Sequence, residues 1–284
     1  MPYRFMRFPE GKTKAVTFSY DDGVRTDMRL AEICDKYDLK ATFNICSTLI
    51  AENDGEWRLT KNELRELVSR GHEIAVHGHE HKSPAVSTDM EIIKEVLTCR
   101  EKLEEVLGTV VTGMAYPDCE IARAGARRYE EIRTLLNSLG ISYSRTLGGD
   151  NNGFALPDDW LAWMPTIHHD NPSSIEYAQQ FVDMKVDDLY VSRHNPRLFY
   201  VWGHSYEFDS NNNWEHFEEL CQILSGKEDT WYATNIEICR YSKAFDSLVF
   251  NAANTCVYNP TAFDIWFSCK GKMHCVKAGQ TLNY

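Results

Sequence analysis

The sequence predicts an α/β fold of βα units around a largely parallel sheet, with a small β appendage at the C-terminus. Three observations predict it. Short β-type runs alternate with helical stretches for more than half the chain, three polar clusters fall where predicted strands stop, and residues 255–284 switch to period-two alternation. The 284 residues suffice for one large domain plus the appendage, divided as 1–254 and 255–284.

AVTFSY from Ala15 reads as the first strand, and Leu30, Ile33, Cys34 and Tyr37 recur after it at helical spacing. ATFNI from Ala41 is a second β-rich run. Thr60 and Glu63 make a capping box for a helix that stops at Gly71, and EIAV from Glu73 is the third strand. A long helix over Thr88–Leu107 closes at Gly108; VTGMAY then reads as a strand, a helix spans Gly125–Leu139, and a short strand lies near Tyr143. Residues 147–172, rich in Gly, Asn, Asp and Pro, read as long loops. Ser173 and Glu176 open another capping box, LFYVWGH is a strongly apolar run ending at His204, and a helix over Trp214–Leu224 precedes the strand WYAT. A last helix near Glu237–Phe250 leads to the appendage, with turns at Lys270-Gly271 and Ala278-Gly279.

A net charge of −12, from 42 acidic and 30 basic side chains, repels phosphate backbones and argues against a nucleic-acid partner. No run approaches the roughly 20 apolar residues of a membrane span, and the N-terminus lacks the apolar segment of a secretory signal. The expectation is a cytoplasmic protein without membrane partners. Nine cysteines occur singly, without a Cys-x-x-Cys pair, and read as small core residues in a reducing compartment.

The polar clusters are Asp21-Asp22-Gly23, His77-Gly78-His79-Glu80-His81, and His204. Carboxyl ends of parallel strands point to one face, so these distant residues become neighbours. Singly each has an ordinary reading: a helix-capping turn, a solvated polar loop, a structural histidine between Gly203 and Ser205. Jointly, two imidazoles and one carboxylate bind a divalent metal and leave open positions for water and substrate. His77 and His81 share a face at helical spacing, and a second carboxylate beside the ligand takes the proton of that water.

The run Ser19-Tyr20-Asp21-Asp22-Gly23, then His77-x-x-x-His81, then Trp202-Gly203-His204, resembles the polysaccharide deacetylases, the family of the NodB-homology domain, over roughly residues 14–235. The resemblance implies a distorted (β/α) barrel with fewer than eight complete units. It implies Asp21 as catalytic base, Asp22, His77 and His81 as ligands of a divalent metal (zinc first, then cobalt, nickel or iron), and His204 as general acid. The small hydroxyl residue that usually follows the first histidine is Gly78 here. The third motif normally has an arginine two residues before a proline; Ala115-Tyr116-Pro117-Asp118 keeps the proline, puts the Asp118 backbone N–H at the oxyanion, and lacks the arginine, for which Arg145 is a spatial substitute. The fourth motif is not aligned among Asp150, Asp158, Asp159 and Trp160.

Tyr116 and Trp202, with Tyr206 and Trp163, are candidates to stack on sugar rings. His168 and His169 lie in the loop region, facing either the site or solvent. The implied reaction is hydrolysis of N-acetyl or O-acetyl groups of a saccharide. Its rivals are a metal amidohydrolase of a non-sugar amide or imide, an inactive glycan-binding relative, and a ferrous oxygenase, for which Asp21 would be redundant.

Overall fold

The computed structural model describes residues 3–53, 56–119, 121, 128–146 and 153–284. From the N-terminus, β1 (Arg4–Arg7) leads into β2 (Lys14–Asp21), α1 (Thr26–Lys36), β3 (Ala41–Ile45), α2 (Lys61–Ser69), β4 (Glu73–Val76), α3 (Asp89–Leu107), β5 (Gly113–Ala115), α4 (Tyr129–Ser138) and β6 (Tyr143–Arg145). There follow β7 (Ile167–His168), α5 (Ser174–Asp183), β8 (Arg197–Gly203), α6 (Tyr206–Asn211), α7 (Trp214–Leu224), β9 (Thr230–Tyr232) and α8 (Asn235–Asp246). The chain ends in β10 (Val249–Phe250), β11 (Cys256–Tyr258), β12 (Ile265–Cys269), β13 (Lys272–Val276) and β14 (Thr281–Asn283).

The main sheet runs β6-β5-β4-β3-β2-β8-β7, with every pair parallel. It is the curled sheet of a distorted, incomplete (β/α) barrel. All eight residues of β2 are buried, as a central parallel strand covered on both faces requires. β8 pairs along β2 from Lys14 to Tyr20; the other edge is split between β9 at Lys14–Val16 and β3 at Phe18–Asp21. The sheet ends at β6 and β7, and the strand ends that carry chemistry lie on its carboxyl face.

The helices form where caps and apolar faces coincide. Thr60 makes the anticipated capping box with Glu63, Thr88 makes a further one with Glu91, and Gly108 closes α3 at φ 67°. Ser173 precedes α5 but its side chain makes no capping bond, so that box is absent. Residues 125–127, the start of the anticipated Gly125–Leu139 helix, lie outside the described residues, and α4 begins at Tyr129. The expected loop over 147–172 contains β7, two residues long, which pairs with β8 at Val201 and Trp202. Two residues carry no readable periodicity, so only the neighbouring strand reveals it.

Residues 255–284 form β11–β14, and their strands pair beyond that range. β12 pairs with β1 and β13, and β11 with β10 and β14, in two three-stranded antiparallel sheets. The Tyr241 hydroxyl on α8 joins the first of them to that helix, donating to Arg7 O at 2.8 Å and accepting from Trp266 N at 2.9 Å. No helix among the described residues is long and apolar enough to cross a membrane.

Candidate active site and metal centre

Asp21 closes β2 with 1% of its surface exposed. Its Oδ1 accepts from Asn44 Nδ2 at 2.8 Å, and its Oδ2 accepts from Arg145 Nη2. Asn44 is the register partner of Asp21 on β3. Arg145, wholly buried, is the register partner of Ala115 on the adjacent β6. The arginine missing from position 115 is thus supplied one strand over, at the same height in the sheet. Burial by itself pushes the Asp21 pKa up, but the Arg145 guanidinium, His77, His204 and the Asn44 hydrogen bond outweigh it and hold the group below the usual aspartate value. At neutral pH Asp21 is a carboxylate, the form a base requires.

Asp22 follows at φ 78°, and its Oδ1 lies 3.7 Å from His77 Nε2 and 3.6 Å from His81 Nε2. Ligand atoms at zinc distances of about 2.0–2.2 Å stand roughly 3.3–3.6 Å apart in a tetrahedron. The three residues therefore fit a small divalent cation. Tautomer chemistry agrees, because His77 Nδ1 lies 3.0 Å from Ala115 O and a carbonyl only accepts. The proton is on Nδ1, which leaves the Nε2 lone pair facing Asp22. Burial lowers the His77 pKa further than its anionic neighbours raise it, keeping the ring neutral.

The two histidines do not converge along a helix, contrary to the spacing argument. Gly78 at φ 83° and His81 at φ 61° fold the segment into a non-helical turn. His79 points elsewhere, its Nδ1 2.8 Å from Ser47 Oγ. The turn is pinned by Glu95 of α3, whose Oε2 accepts from the backbone N–H groups of Glu80 at 2.8 Å and Lys82 at 3.4 Å. A Cβ at position 78 would stand 2.8 Å from that oxygen, so glycine here makes room for the pin. Glu95→Ala is expected to lower metal affinity by about 10–100-fold while the fold persists, as chelator-competition titration would show. Of the described non-glycine residues with positive φ, Asp22, His81 and Asp118 all lie here, placing backbone strain at the site.

Cys46 is a fourth metal-binding group within range of this triad. Its Sγ donates to His77 O at 3.0 Å, and burial raises the thiol pKa far above the ordinary range. A thiol must lose its proton to ligate, so the triad is the better donor set.

His204 follows β8, with its backbone N–H donating to Glu207 Oε2 at 3.0 Å and its Nδ1 3.4 Å from Glu207 Oε1. Burial disfavours the imidazolium, but Glu207 and Asp21 outweigh it and raise its pKa above that of free histidine. A proton donor is therefore available near neutral pH. The neighbouring Ser205 Oγ donates to the buried Asp27 carboxyl at 2.5 Å, tying this corner to α1.

Behind His204, His168, His169, Asp170 and Glu207 form a second group of metal-binding type. His168 Nδ1 accepts from the Asp170 backbone N–H at 3.1 Å, which puts the ring proton on Nε2, 3.3 Å from Glu207 Oε2. That tautomer is the reverse of His77 and suits support of Glu207 rather than ligation. His169 is buried between Tyr20 and Phe208, with ring centres 5.7 and 4.1 Å away. Gly203 permits this, since a Cβ there would collide with the His169 ring.

Residues 9–143 match the family model described as polysaccharide deacetylase. Over that segment, a little under half of its length, the chain is similar to the polysaccharide deacetylase family. The family is one of hydrolases acting on amide carbon–nitrogen bonds. A provisionally named polysaccharide deacetylase from Mycobacterium smegmatis shares the fold at 18% identity and a TM-score of 0.59, covering 87% of this chain and 96% of that one. A family 4 acetyl xylan esterase from Clostridium thermocellum, solved with a cobalt ion, gives 19% identity, a TM-score of 0.50 and coverages of 81% and 92%. PuuE allantoinase gives 13% identity, a TM-score of 0.57 and coverages of 82% and 91%. At these identities the likeness is one of fold. No curated protein matches.

The structure gathers Asp21, Asp22, His77, His81 and His204 at one end of the barrel. Trp202 is partly exposed there, its ring centre 4.9 Å from the Arg145 guanidinium. Asp118 is exposed at φ 55°, its carboxylate 3.9 Å from His81 Nδ1. Tyr116 is a correction: the ring is fully buried and its hydroxyl donates to Leu161 O at 2.8 Å, so no sugar can stack on it. Trp163 is likewise core, 1% exposed. Asp159 caps the turn at Trp160–Ala162 and pairs with Arg133 at 2.9 Å, both structural tasks. Asp150 lies outside the described residues. Asn44, Glu95 and Glu207 were not anticipated. Asn44 is next to last in a predicted strand, a legible signal; Glu95 reaches its partners only through the packing of α3.

Proposed function

We propose that this chain hydrolyses acetyl groups of a saccharide, with a divalent cation on Asp22, His77 and His81, Asp21 as base and His204 as acid. The observation that carries the reading is the division of labour between adjacent aspartates. Asp22 faces two imidazole lone pairs, while Asp21, one residue earlier, is turned to Arg145 and held ionised. A divalent cation, when bound, supplies Lewis acidity, polarising the acetyl carbonyl and acidifying water from about 15.7 towards about 7. The cobalt ion in the acetyl xylan esterase of the same fold supports a divalent metal here, and the nitrogen-rich donor set favours zinc.

Asp21 takes the proton of the attacking water, a transfer its ionised state at neutral pH permits. The Asp118 backbone N–H, in the strained turn after Pro117, is assigned to the developing oxyanion. His204, whose protonated form Glu207 favours, donates to the departing nitrogen or oxygen as the acyl bond breaks, leaving acetate and a free amino or hydroxyl group on the sugar.

Purified protein is expected to release acetate from members of a panel of acetylated mono- and oligosaccharides. A chelator should abolish the release and added zinc or cobalt restore it. Hydrolysis of allantoin or another cyclic amide, with no acetate from any sugar, would instead assign the site to a non-sugar amide; activity indifferent to chelator would remove the metal from the reading.

A further inference from the structure

His169 follows β7 with none of its surface exposed, and neither ring nitrogen makes a hydrogen bond to a described residue. A buried polar group in that condition calls for a partner. Burial holds the ring neutral, its pKa lowered to about 3. Its Nε2 is aimed at two carboxylates, 3.3 Å from Asp170 Oδ1 and 3.3 Å from Glu207 Oε2. The ligand-type atoms of the three residues all lie within 4.8 Å of one another. Two anions that close repel, and a cation between them relieves the repulsion.

We infer that His169, Asp170 and Glu207 form a second divalent-cation site, sharing no residue with the Asp22, His77 and His81 triad. Ligand atoms around a zinc ion stand roughly 3.3–3.6 Å apart, which the two nitrogen–oxygen distances meet. Each donor is also fixed from behind. Asn211 Nδ2 donates to Asp170 Oδ2 at 2.7 Å, Asn213 Nδ2 donates to Asp170 Oδ1 at 3.2 Å, and the His204 backbone N–H donates to Glu207 Oε2. The His169 ring is held between Tyr20 and Phe208. Supporting contacts of this kind orient ligands around a metal. His168 takes no part, because its ring proton faces Glu207. One imidazole and two carboxylates suit zinc, iron or manganese, and the partly exposed carboxylates open the site to solvent. Glu207 Oε1 stays 3.4 Å from His204 Nδ1, so an ion here sits one carboxylate away from the proposed acid.

The test measures zinc content rather than activity, so the part Glu207 plays beside His204 does not enter. Tag-free protein is stripped with chelator, dialysed against graded zinc chloride and assayed by elemental analysis, with circular dichroism to confirm folding. Wild type is expected to reach about two equivalents and His77→Ala about one. In Asp170→Asn and in Glu207→Gln the affinity for one of the two equivalents should fall by at least about 10-fold. A single equivalent in wild type that disappears in His77→Ala overturns the second site and leaves the first intact. Zinc kept by His77→Ala but lost when Asp170→Asn is added supports the second site, whatever becomes of the deacetylase reading. Should Asp170→Asn fail to fold, Glu207→Gln decides alone. Two equivalents retained at native affinity in the folded variants place the second ion elsewhere and end the inference.

Discussion

Asp21→Asn is expected to lower acetate release by about 10²–10⁴-fold, the usual worth of general-base assistance, while the protein keeps its full complement of metal. His77→Ala should lose metal and activity together. The contrast follows from geometry, because Asp22 Oδ1 faces both His77 Nε2 at 3.7 Å and His81 Nε2 at 3.6 Å, whereas Asp21 Oδ2, 3.9 Å from His77 Nε2, accepts from Arg145. Elemental analysis of the purified variants decides it, with circular dichroism to confirm folding, since a neutral amide in place of the Asp21 carboxylate leaves the buried guanidinium without its counter-charge. Equal metal content in both variants would erase the proposed division between base and ligand.

Arg145→Met is expected to cost about 3–5 kcal/mol of stability, because it strands the carboxylate of Asp21 in a site where both partners are essentially inaccessible to water. Urea titration would measure it. The variant should also shift the acid limb of the pH–rate profile. In the native protein Asp21 has a depressed pKa, so the pair contributes stability that is complete above an unfolded pKa of about 3.9 and is lost as pH falls through the lower folded value. Without Arg145, burial is left as the largest influence and drives the pKa upward, so activity should fail at a higher pH than in the native protein. An acid limb that stays in place would mean that Arg145 does not tune the base.

The chain order of the longer strands and helices, the anchoring of the chemistry at strand ends, and the identities of the central polar residues were readable in the sequence, whereas β1, β7 and α6 were not. Each is written locally: β2 is a run of buried residues, α2 and α3 begin with Thr and a Glu three positions on, and Asp21-Asp22 and His77-x-x-x-His81 abut predicted strands. Local pattern also misled. The four-residue spacing of His77 and His81 suggested a helical face, yet left-handed residues build a turn, and that turn holds only because Glu95 reaches it from α3. Tyr116 reads as a site aromatic by position but points into the core.

By itself the sequence determined which side chains are available and at which strand ends they stand, because hydrophobic periodicity and capping are properties of neighbouring residues. Only the tertiary structure decided what those side chains face. Arg145 meets Asp21 across 124 positions because β6 lies beside β5 in the sheet, and Trp57 meets Tyr206 because the segment carrying it is bonded to the Asp22 turn. The physical reason is that contacts between distant residues follow from strand order and register, which arise from burying the whole core at once and leave no mark on any single stretch of chain.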